Sequence, residues 1–347
     1  MWWLSWAAAP YEIATRLRAH GYEHGWFARR HLPVPVISIG NLTVGGTGKT
    51  PLVIQITEWL LEAGRRVAVL SRGYRRTGRE PLLLVSDGAR IVAPPEEAGD
   101  EPFQIAQRCP RAVVAVGVDR YRLGRHILET CGVDCIVLDD GFQHLGVHRD
   151  VNLLLVDATD AQGLKRLLPA GRLREPITAA KRATGVIVTR AENPHHVDDI
   201  LRQLRSAVDP LPMTAQVVFR AAQLVSVATG GHRSIEWCKG KSALLVSGVG
   251  HAASFRSTAE ELGVSVIDEV AYPDHYIYSV DDVGRLRERA IERKAELVLT
   301  TEKDAAKIRT YLAPDDGSWW AARLRVEWRT GESAMRKMIL DARPTGR

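Results

Sequence analysis

From residue 34 onward, short uninterrupted apolar runs punctuate the chain, and each ends in a polar or glycine-rich cluster. Residues 36–39 lead into Gly40 and Asn41, 67–70 into Ser71, Arg72 and Gly73, and 135–138 into Asp139, Asp140 and Gly141. Residues 153–156 reach Asp157, and 186–188 reach Thr189 and Arg190. Strands that are apolar throughout, rather than at alternate positions, belong to parallel sheets covered on both faces. Most of these runs precede segments of helical pattern, so the expected class is α/β with helices on both faces of the sheet. In such folds ligands sit beyond the carboxyl ends of the strands, where the polar clusters fall.

The pattern restarts near residue 225. Residues 243–246 lead into Ser247, Gly248, Val249, Gly250 and His251, and 297–299 into Thr300, Thr301, Glu302, Lys303 and Asp304. This predicts a second, smaller α/β unit. Between the two, 215–219 reads as a linking strand, and 324–328 as a partner that returns the chain before a closing helix. The expected division is 1–30 for an N-terminal segment, 31–211 for the first unit, 212–224 for the linking strand, 225–320 for the smaller unit and 321–347 for the return. Such a pair of strands would be a hinge between separate sheets, an expectation that one undivided sheet would overturn.

The first 26 residues hold four of the nine tryptophans, Trp2, Trp3, Trp6 and Trp26. Trp3, Trp6, Pro10, Ile13 and Leu17 share one helical face, with Arg16, Arg18, Arg29 and Arg30 nearby, which suits a helix lying among anionic headgroups. The plainer alternative is a helix packed on the protein's own core, and Pro10 requires a kink or a place in the first turn. No apolar run approaches the roughly 20 residues of a membrane span, and no basic segment precedes an apolar one as in a secretory signal.

The strongest chemical signal is Gly45-Gly46-Thr47-Gly48-Lys49-Thr50, set between a strand and a helix-like segment. The general phosphate-loop pattern G-x-x-x-x-G-K-[ST] is broken at Thr43, which stands in the first glycine position. Thr43, Val44, Gly45, Gly46, Thr47 and Gly48 would wrap the phosphates with backbone amides, Lys49 would reach the β- and γ-phosphates, and Thr50 would hold Mg²⁺. A ligand-free glycine turn is the plainer reading, but the strand–turn–helix setting favours ATP and a P-loop NTPase-like sheet. The run into Asp139 and Asp140 has the form of the companion metal-binding strand, since Mg²⁺ takes one or two carboxylates; the alternative is a simple turn.

Composition narrows the picture little. The chain has 347 residues, 45% hydrophobic and 25% charged, with a formal net charge of +6, which admits nucleotide, nucleic acid or membrane as anionic partners. Cys109, Cys131, Cys135 and Cys238 form no C-x-x-C pair and read as reduced residues. His144 and His148 have helical spacing without a third ligand, so zinc is not expected. Gly248-Val249-Gly250 lacks the third glycine of a dinucleotide fingerprint.

Taken in order, six strings resemble the tetraacyldisaccharide 4'-kinases of lipid A biosynthesis. They are residues 41–51, Ser71-Arg72-Gly73-Tyr74, Gly99-Asp100-Glu101-Pro102, Asp139-Asp140-Gly141-Phe142-Gln143-His144, Gly171-Arg172-Leu173-Arg174-Glu175 and Thr301-Glu302-Lys303-Asp304. They cover nearly the whole chain, and the departure at Thr43 is itself a feature of that family. The resemblance implies transfer of phosphate from ATP to the 4'-hydroxyl of an acylated glucosamine disaccharide 1-phosphate, at the cytoplasmic side of the inner membrane. It implies Asp100 as catalytic base assisted by His275, with Lys49 on the phosphates. Asp100 also suits a helix N-cap, and His275 rests on the resemblance alone.

Glu101, Asp139, Asp140 and Gln143 join Thr50 as candidate ligands of Mg²⁺ or its waters, with their roles undivided. Arg72, Arg120, Arg172 and Arg174 are candidates for ATP phosphates or the substrate's 1-phosphate, where a guanidinium fits well. Each taken singly reads more simply as a solvated surface arginine, and Arg72 gains weight by following a strand on the ligand-binding edge. His144 is a candidate to orient substrate, or else a buried structural histidine. Residues 301–304 read equally as a capped helix start and as a functional string. Two alternatives stand beside the lipid kinase. One is a P-loop kinase or NTPase acting on a soluble metabolite. The other is a nucleotide-gated nucleic-acid-binding protein, disfavoured because the basic residues are dispersed and no nucleic-acid motif occurs.

Overall fold

The computed structural model describes residues 4–345 apart from 75, 79 and 251, and omits the side chains of 4, 5 and 7. Trp2, and Trp3 of the expected interfacial face, lie outside the described residues. The chain opens with α1 (Leu4–Glu23), then β1 (Val36–Asn41), α2 (Lys49–Glu62), β2 (Val67–Ser71) and β3 (Leu82–Asp87). Next come α3 (Pro95–Ala98), α4 (Asp100–Arg108), β4 (Val113–Gly117), α5 (Arg120–Cys131), β5 (Cys135–Asp139), β6 (Val151–Asp157) and β7 (Gly185–Thr189). After α6 (Pro194–Ala207) follow β8 (Met213–Ser226), β9 (His232–Arg233), β10 (Ser242–Ser247), α7 (Ala252–Glu261), β11 (Ser265–Ala271) and α8 (Val280–Glu292). The chain closes with β12 (Leu297–Thr301), α9 (Glu302–Ile308), β13 (Trp319–Thr330) and α10 (Glu332–Leu340).

The five apolar runs nearest the phosphate loop become β1, β2, β5, β6 and β7, every residue of which is buried. They are parallel to their neighbours and stand in the order β7-β6-β1-β5-β2, with β4 and then the antiparallel β3 beyond. Helices cover both faces, as continuous apolar strands require. The α2 residues Leu52, Ile56 and Leu60 pack in one cluster with Ile105 of α4 and Met335 and Ile339 of α10. Leu123 and Ile127 of α5 belong to another, and Ile200 and Leu204 of α6 to a third.

The linking and returning strands pair antiparallel, with Val217 opposite Trp328 and Ala221 opposite Leu324. β8 is hydrogen-bonded to β7 over 213–216, and β13 to β12 over 319–322. The remainder of β8 and β13 is a two-stranded ribbon leading to β12, β10 and β11, which have their own cores around Phe255 and Leu286. Hydrogen bonding therefore passes from one end to the other without a break, and the expectation of two sheets flanking a hinge is corrected. The ribbon is long enough for each end to pair with a different neighbour, so no interruption arises.

α1 runs through Pro10 as a single helical segment, so the proline lies inside it rather than in its first turn. Trp6, Ile13 and Leu17 are 74%, 58% and 58% exposed, and Trp26 and Phe27 follow at 67% and 47%. The other side of the helix faces the protein, where Tyr11 OH donates to the Arg174 carbonyl (2.9 Å) and Arg18 to the Gln143 carbonyl (3.2 Å). Among the described residues no helix is long and apolar enough to cross a membrane. All four cysteines are free thiols.

Candidate active site

β1 ends on the buried Asn41, whose Nδ2 donates to the Thr43 carbonyl (2.8 Å) while Oδ1 accepts from Lys49 Nζ (3.3 Å). One amide thus ties strand, turn and lysine together. Thr43, expected among the nucleotide ligands, lies buried and bridged to Leu173, so it is a strut beneath the loop. Arg172, expected to bind substrate, is likewise engaged elsewhere. Its Nη2 and Nε donate to the Val44 carbonyl (2.8 and 3.2 Å), and Nη1 pairs with Asp160 at 3.1 Å.

On the far side of the loop Arg190 donates to the Gly46 carbonyl (3.0 Å) and pairs with Asp157, while Thr189 Oγ1 donates to the Thr47 carbonyl (2.9 Å). The loop carbonyls are therefore held by protein donors. Among the described residues the amides of 45–48 have no protein acceptor, the arrangement of a backbone anion cradle. Gly48 takes φ 80° at the start of α2, and a Cβ there would stand 2.1 Å from the Phe219 ring of β8. Only glycine meets both constraints.

β5 lies beside β1 with Asp139 opposite Ile39, which sets the carboxylates against the loop. Asp139 is buried; Oδ2 accepts from Ser71 Oγ (2.8 Å) and Oδ1 has no partner. Burial above all, then the charges of Glu101 and Asp140, pushes its carboxyl up to about 7. Asp140, in the left-handed region at φ 51°, differs. Its Oδ2 accepts from Arg174 (2.7 Å) and Oδ1 stands 3.6 Å from Lys49 Nζ. Burial would raise its pKa, yet Lys49 and Arg174 outweigh it and hold the carboxyl below its ordinary value.

Gln143 is engaged at both ends, donating to the Asn41 carbonyl (2.9 Å) and accepting from Arg174 (3.4 Å). Among the described residues Asp139 Oδ1 and Asp140 Oδ1 are both buried without a hydrogen-bond partner. Lys49 stands 3.6 Å from the second, whereas no ion pair answers the first, a costly state for an anion unless a cation faces it. Among the described residues no cluster of three or more His, Cys, Asp or Glu could hold a metal. One or two carboxylates suffice for Mg²⁺ beside phosphate.

The opposite wall comes from the far end of the sheet. Gly99 occupies the N-cap of α4, so Asp100 is the first helical residue and its side chain does not cap. Asp100 Oδ2 stands 3.1 Å from His275 Nδ1 and 3.0 Å from Lys307 Nζ. Burial raises the Asp100 pKa, but the His275 hydrogen bond and the Lys307 charge prevail and lower it. Lys303 Nζ is 2.8 Å from Asp274 and 3.3 Å from His275 Nε2. A lysine donating to Nε2 selects the tautomer in which Nδ1–H donates to Asp100.

Each member of the 301–304 string has a place. Thr301 caps α9 by accepting from Asp304 N (3.1 Å), and the fully buried Asp304 accepts from Gly248 N (2.9 Å). Glu302 binds Arg108 of α4 and Arg323 of β13, both at 3.0 Å. Lys303 and Lys307, absent from the sequence-predicted site, sit one turn apart on α9; their i, i+4 spacing was the available signal.

The two walls enclose a cleft of about 1040 Å³. Lys49, Thr50, Arg72, Glu101, Arg120 and His144 line it from one side, His275 and Lys303 from the other. Of the Asp100–His275 pair it is His275 that lines the cleft. Arg120 is 4% exposed, and its Nη1 donates to the Val118 carbonyl at 3.0 Å. His144 is pushed down to about 4, by burial first and then by Arg120, so it is neutral at pH 7.

A strand-to-helix amide cradle, its lysine and an adjacent acidic strand define a P-loop kinase. A family model described as LpxK, tetraacyldisaccharide-1-P 4'-kinase, matches residues 1–343. A tetraacyldisaccharide 4'-kinase of Geobacter metallireducens is 39% identical over 305 residues, covering 87% of this chain and 86% of the relative. That of Syntrophus aciditrophicus is 38% identical over 305 residues, covering 86% and 82%. The solved structure of LpxK from Aquifex aeolicus in complex with ATP is 32% identical, with a TM-score of 0.77 over 96% of each chain. The chain belongs to the tetraacyldisaccharide 4'-kinase family.

The depressed His144 pKa has a consequence for folding. The unfolded chain binds the imidazole proton at about 6.5, the folded one only near 4. The contribution of His144 is therefore present above pH 6.5 and lost as pH falls through that interval. His144→Gln is expected to lose less stability than the parent between pH 7 and 5 in urea unfolding; parallel losses would contradict this origin.

Proposed function

We propose that this chain transfers the γ-phosphoryl group of ATP to the 4'-hydroxyl of a tetraacyldisaccharide 1-phosphate, forming lipid IVA. The observation that carries the reading is the Asp100–His275 pair, fixed by two lysines of α9 across the cleft from the amide cradle and Lys49. Family membership supports the substrate class, and the relative solved with ATP supports the donor.

The amides of 45–48 and Lys49 Nζ bind and orient the phosphates. Asp139 Oδ1 and the Thr50 hydroxyl are the groups that would hold Mg²⁺, with Glu101 nearby; the ion supplies charge neutralisation of the phosphate oxygens when bound. Asp140 and Gln143 keep Lys49, Arg174 and Asn41 in register. Arg72 and Arg120 face the cleft as guanidinium donors for substrate or phosphate oxygens, and neutral His144 orients the sugar without adding charge. The sugar hydroxyl surrenders its proton to Asp100, assisted by His275, as its oxygen bonds to the γ-phosphorus and the bond from that phosphorus to the β–γ bridging oxygen breaks, releasing ADP. Lys307 keeps Asp100 ionised, and Lys303 fixes the imidazole tautomer.

The exposed Trp6, Ile13 and Leu17 on α1, with Trp26 beyond, support peripheral docking to an anionic membrane surface. ATP as donor puts that surface on the cytoplasmic side of the inner membrane. A soluble-metabolite substrate would leave this apolar face without a purpose, and a nucleic-acid partner gains no support.

With γ-labelled ATP, Mg²⁺ and the tetraacyl disaccharide 1-phosphate in detergent micelles, label is expected in the lipid. Asp100→Asn should slow transfer by about 100-fold or more; label confined to ATP and free phosphate in the parent would refute the function. Lys307→Met raises the Asp100 pKa, and an ionised base is lost as pH falls through its pKa. The acid limb of kcat/KM should therefore move to higher pH, and Lys307→Arg should restore it; an unmoved limb would remove Lys307 from this role.

Tyr11 and Arg18 reach into the site, so membrane docking is better tested by surface changes than by truncation. Combined Trp6→Ser, Ile13→Ser and Leu17→Ser should weaken binding to anionic vesicles at least roughly tenfold while sparing ATP binding. Undiminished vesicle binding would rule out this face.

A further inference from the structure

A second crevice, of about 400 Å³, opens where the turn after β3 and the end of α4 face the β8–β9 turn, α9 and β13. Its charged lining is Arg90, Arg309 and Arg323 against the single carboxylate of Glu302, with the His232 ring beside them. That carboxylate is already bonded to Arg108 and Arg323. Among the described residues Arg90, its side chain 81% exposed, pairs only with Asp87, at 3.5 Å, and Arg309 has no ion pair or side-chain hydrogen bond. Guanidinium groups in a concave site of this size can each offer two parallel N–H donors to a pair of phosphate oxygens. Ala106, Pro110 and Val225 supply an apolar wall beside them.

We propose that this crevice is a binding site for a small phosphorylated metabolite, separate from the cleft that holds Lys49. The phosphate lies between Arg309 and Arg90, with Arg323 as a third donor, and the carbon body rests on the apolar wall. The position matters for the kinase because Glu302 lines both cavities. An anion drawing on Arg323 competes with Glu302, whose bond to Arg108 joins α9 to α4, the helix that begins at Asp100. Ligand in the crevice therefore bears on the junction that holds Asp100 and His275 together. Nucleotide phosphates in the cleft do not reach these arginines, since neither Arg90 nor Arg309 lines it.

The test uses the full chain with the P-loop filled by a Mg²⁺-bound non-hydrolysable ATP analogue, titrated calorimetrically with inorganic phosphate and, separately, glycerol 3-phosphate. Both anions should bind one site, the ester more tightly because of the apolar wall. Arg309→Ala and Arg90→Ala, both at the surface and outside the catalytic cleft, should each weaken binding at least fivefold with unchanged melting temperature. Equal affinities for the two probes would overturn the assignment to a phosphorylated metabolite, since the apolar wall would then contribute nothing. Absence of binding to the parent, or binding that neither substitution weakens, would overturn the proposal.

Discussion

The site depends on arginines turned inward onto a backbone turn. Arg172 and Arg190 approach residues 44–47 from two sides and hold the Val44 and Gly46 carbonyls, with Thr189 on Thr47. A peptide unit whose carbonyl is fixed presents its N–H in the opposite direction, so these contacts aim a run of amides into the cleft. Each arginine is neutralised by its own carboxylate, Asp160 or Asp157. The loop therefore acquires donors without gaining net charge from its braces, and Lys49 remains the cation at its end.

Around this cradle the two adjacent aspartates have been made chemically different. Asp140 is bound to Arg174 and faces Lys49, whereas Asp139 sits deeper, with one oxygen on Ser71 and the other unpartnered. The strand direction causes this: Asp139 is the last residue of β5, and Asp140 turns out of the sheet through a left-handed conformation. Neighbouring residues of identical chemistry thus fall in environments that shift their carboxyls in opposite directions.

The far wall shows how a small helix organises distant parts of the chain. α9 is seven residues long, yet Glu302 reaches α4 and β13, Lys303 reaches Asp274 and His275, and Lys307 reaches Asp100. The continuous β8–β13 ribbon brings this helix beside α4 and sets the cleft between the two ends of one sheet.

The strands of the first unit and the phosphate loop were legible because their signals are local: unbroken apolar runs and a glycine-lysine turn need no distant partner to be read. The α1 face carrying Trp6, Ile13 and Leu17 was legible for the same reason, although its passage through Pro10 was not, since a proline's place in a helix depends on what else supports the turn. What the sequence alone could not settle were roles defined by contacts across hundreds of residues. Arg172 and Arg72 carry the same side chain in similar motifs, but one is held against Val44 and the other left at the cleft surface. The string 301–304 likewise reads as a helix start, and only the tertiary structure adds that its lysine and glutamate span the cleft. Periodicity and turn chemistry determine which segments fold into strands and helices; long-range hydrogen bonds and burial decide which of their charged side chains remain free to act.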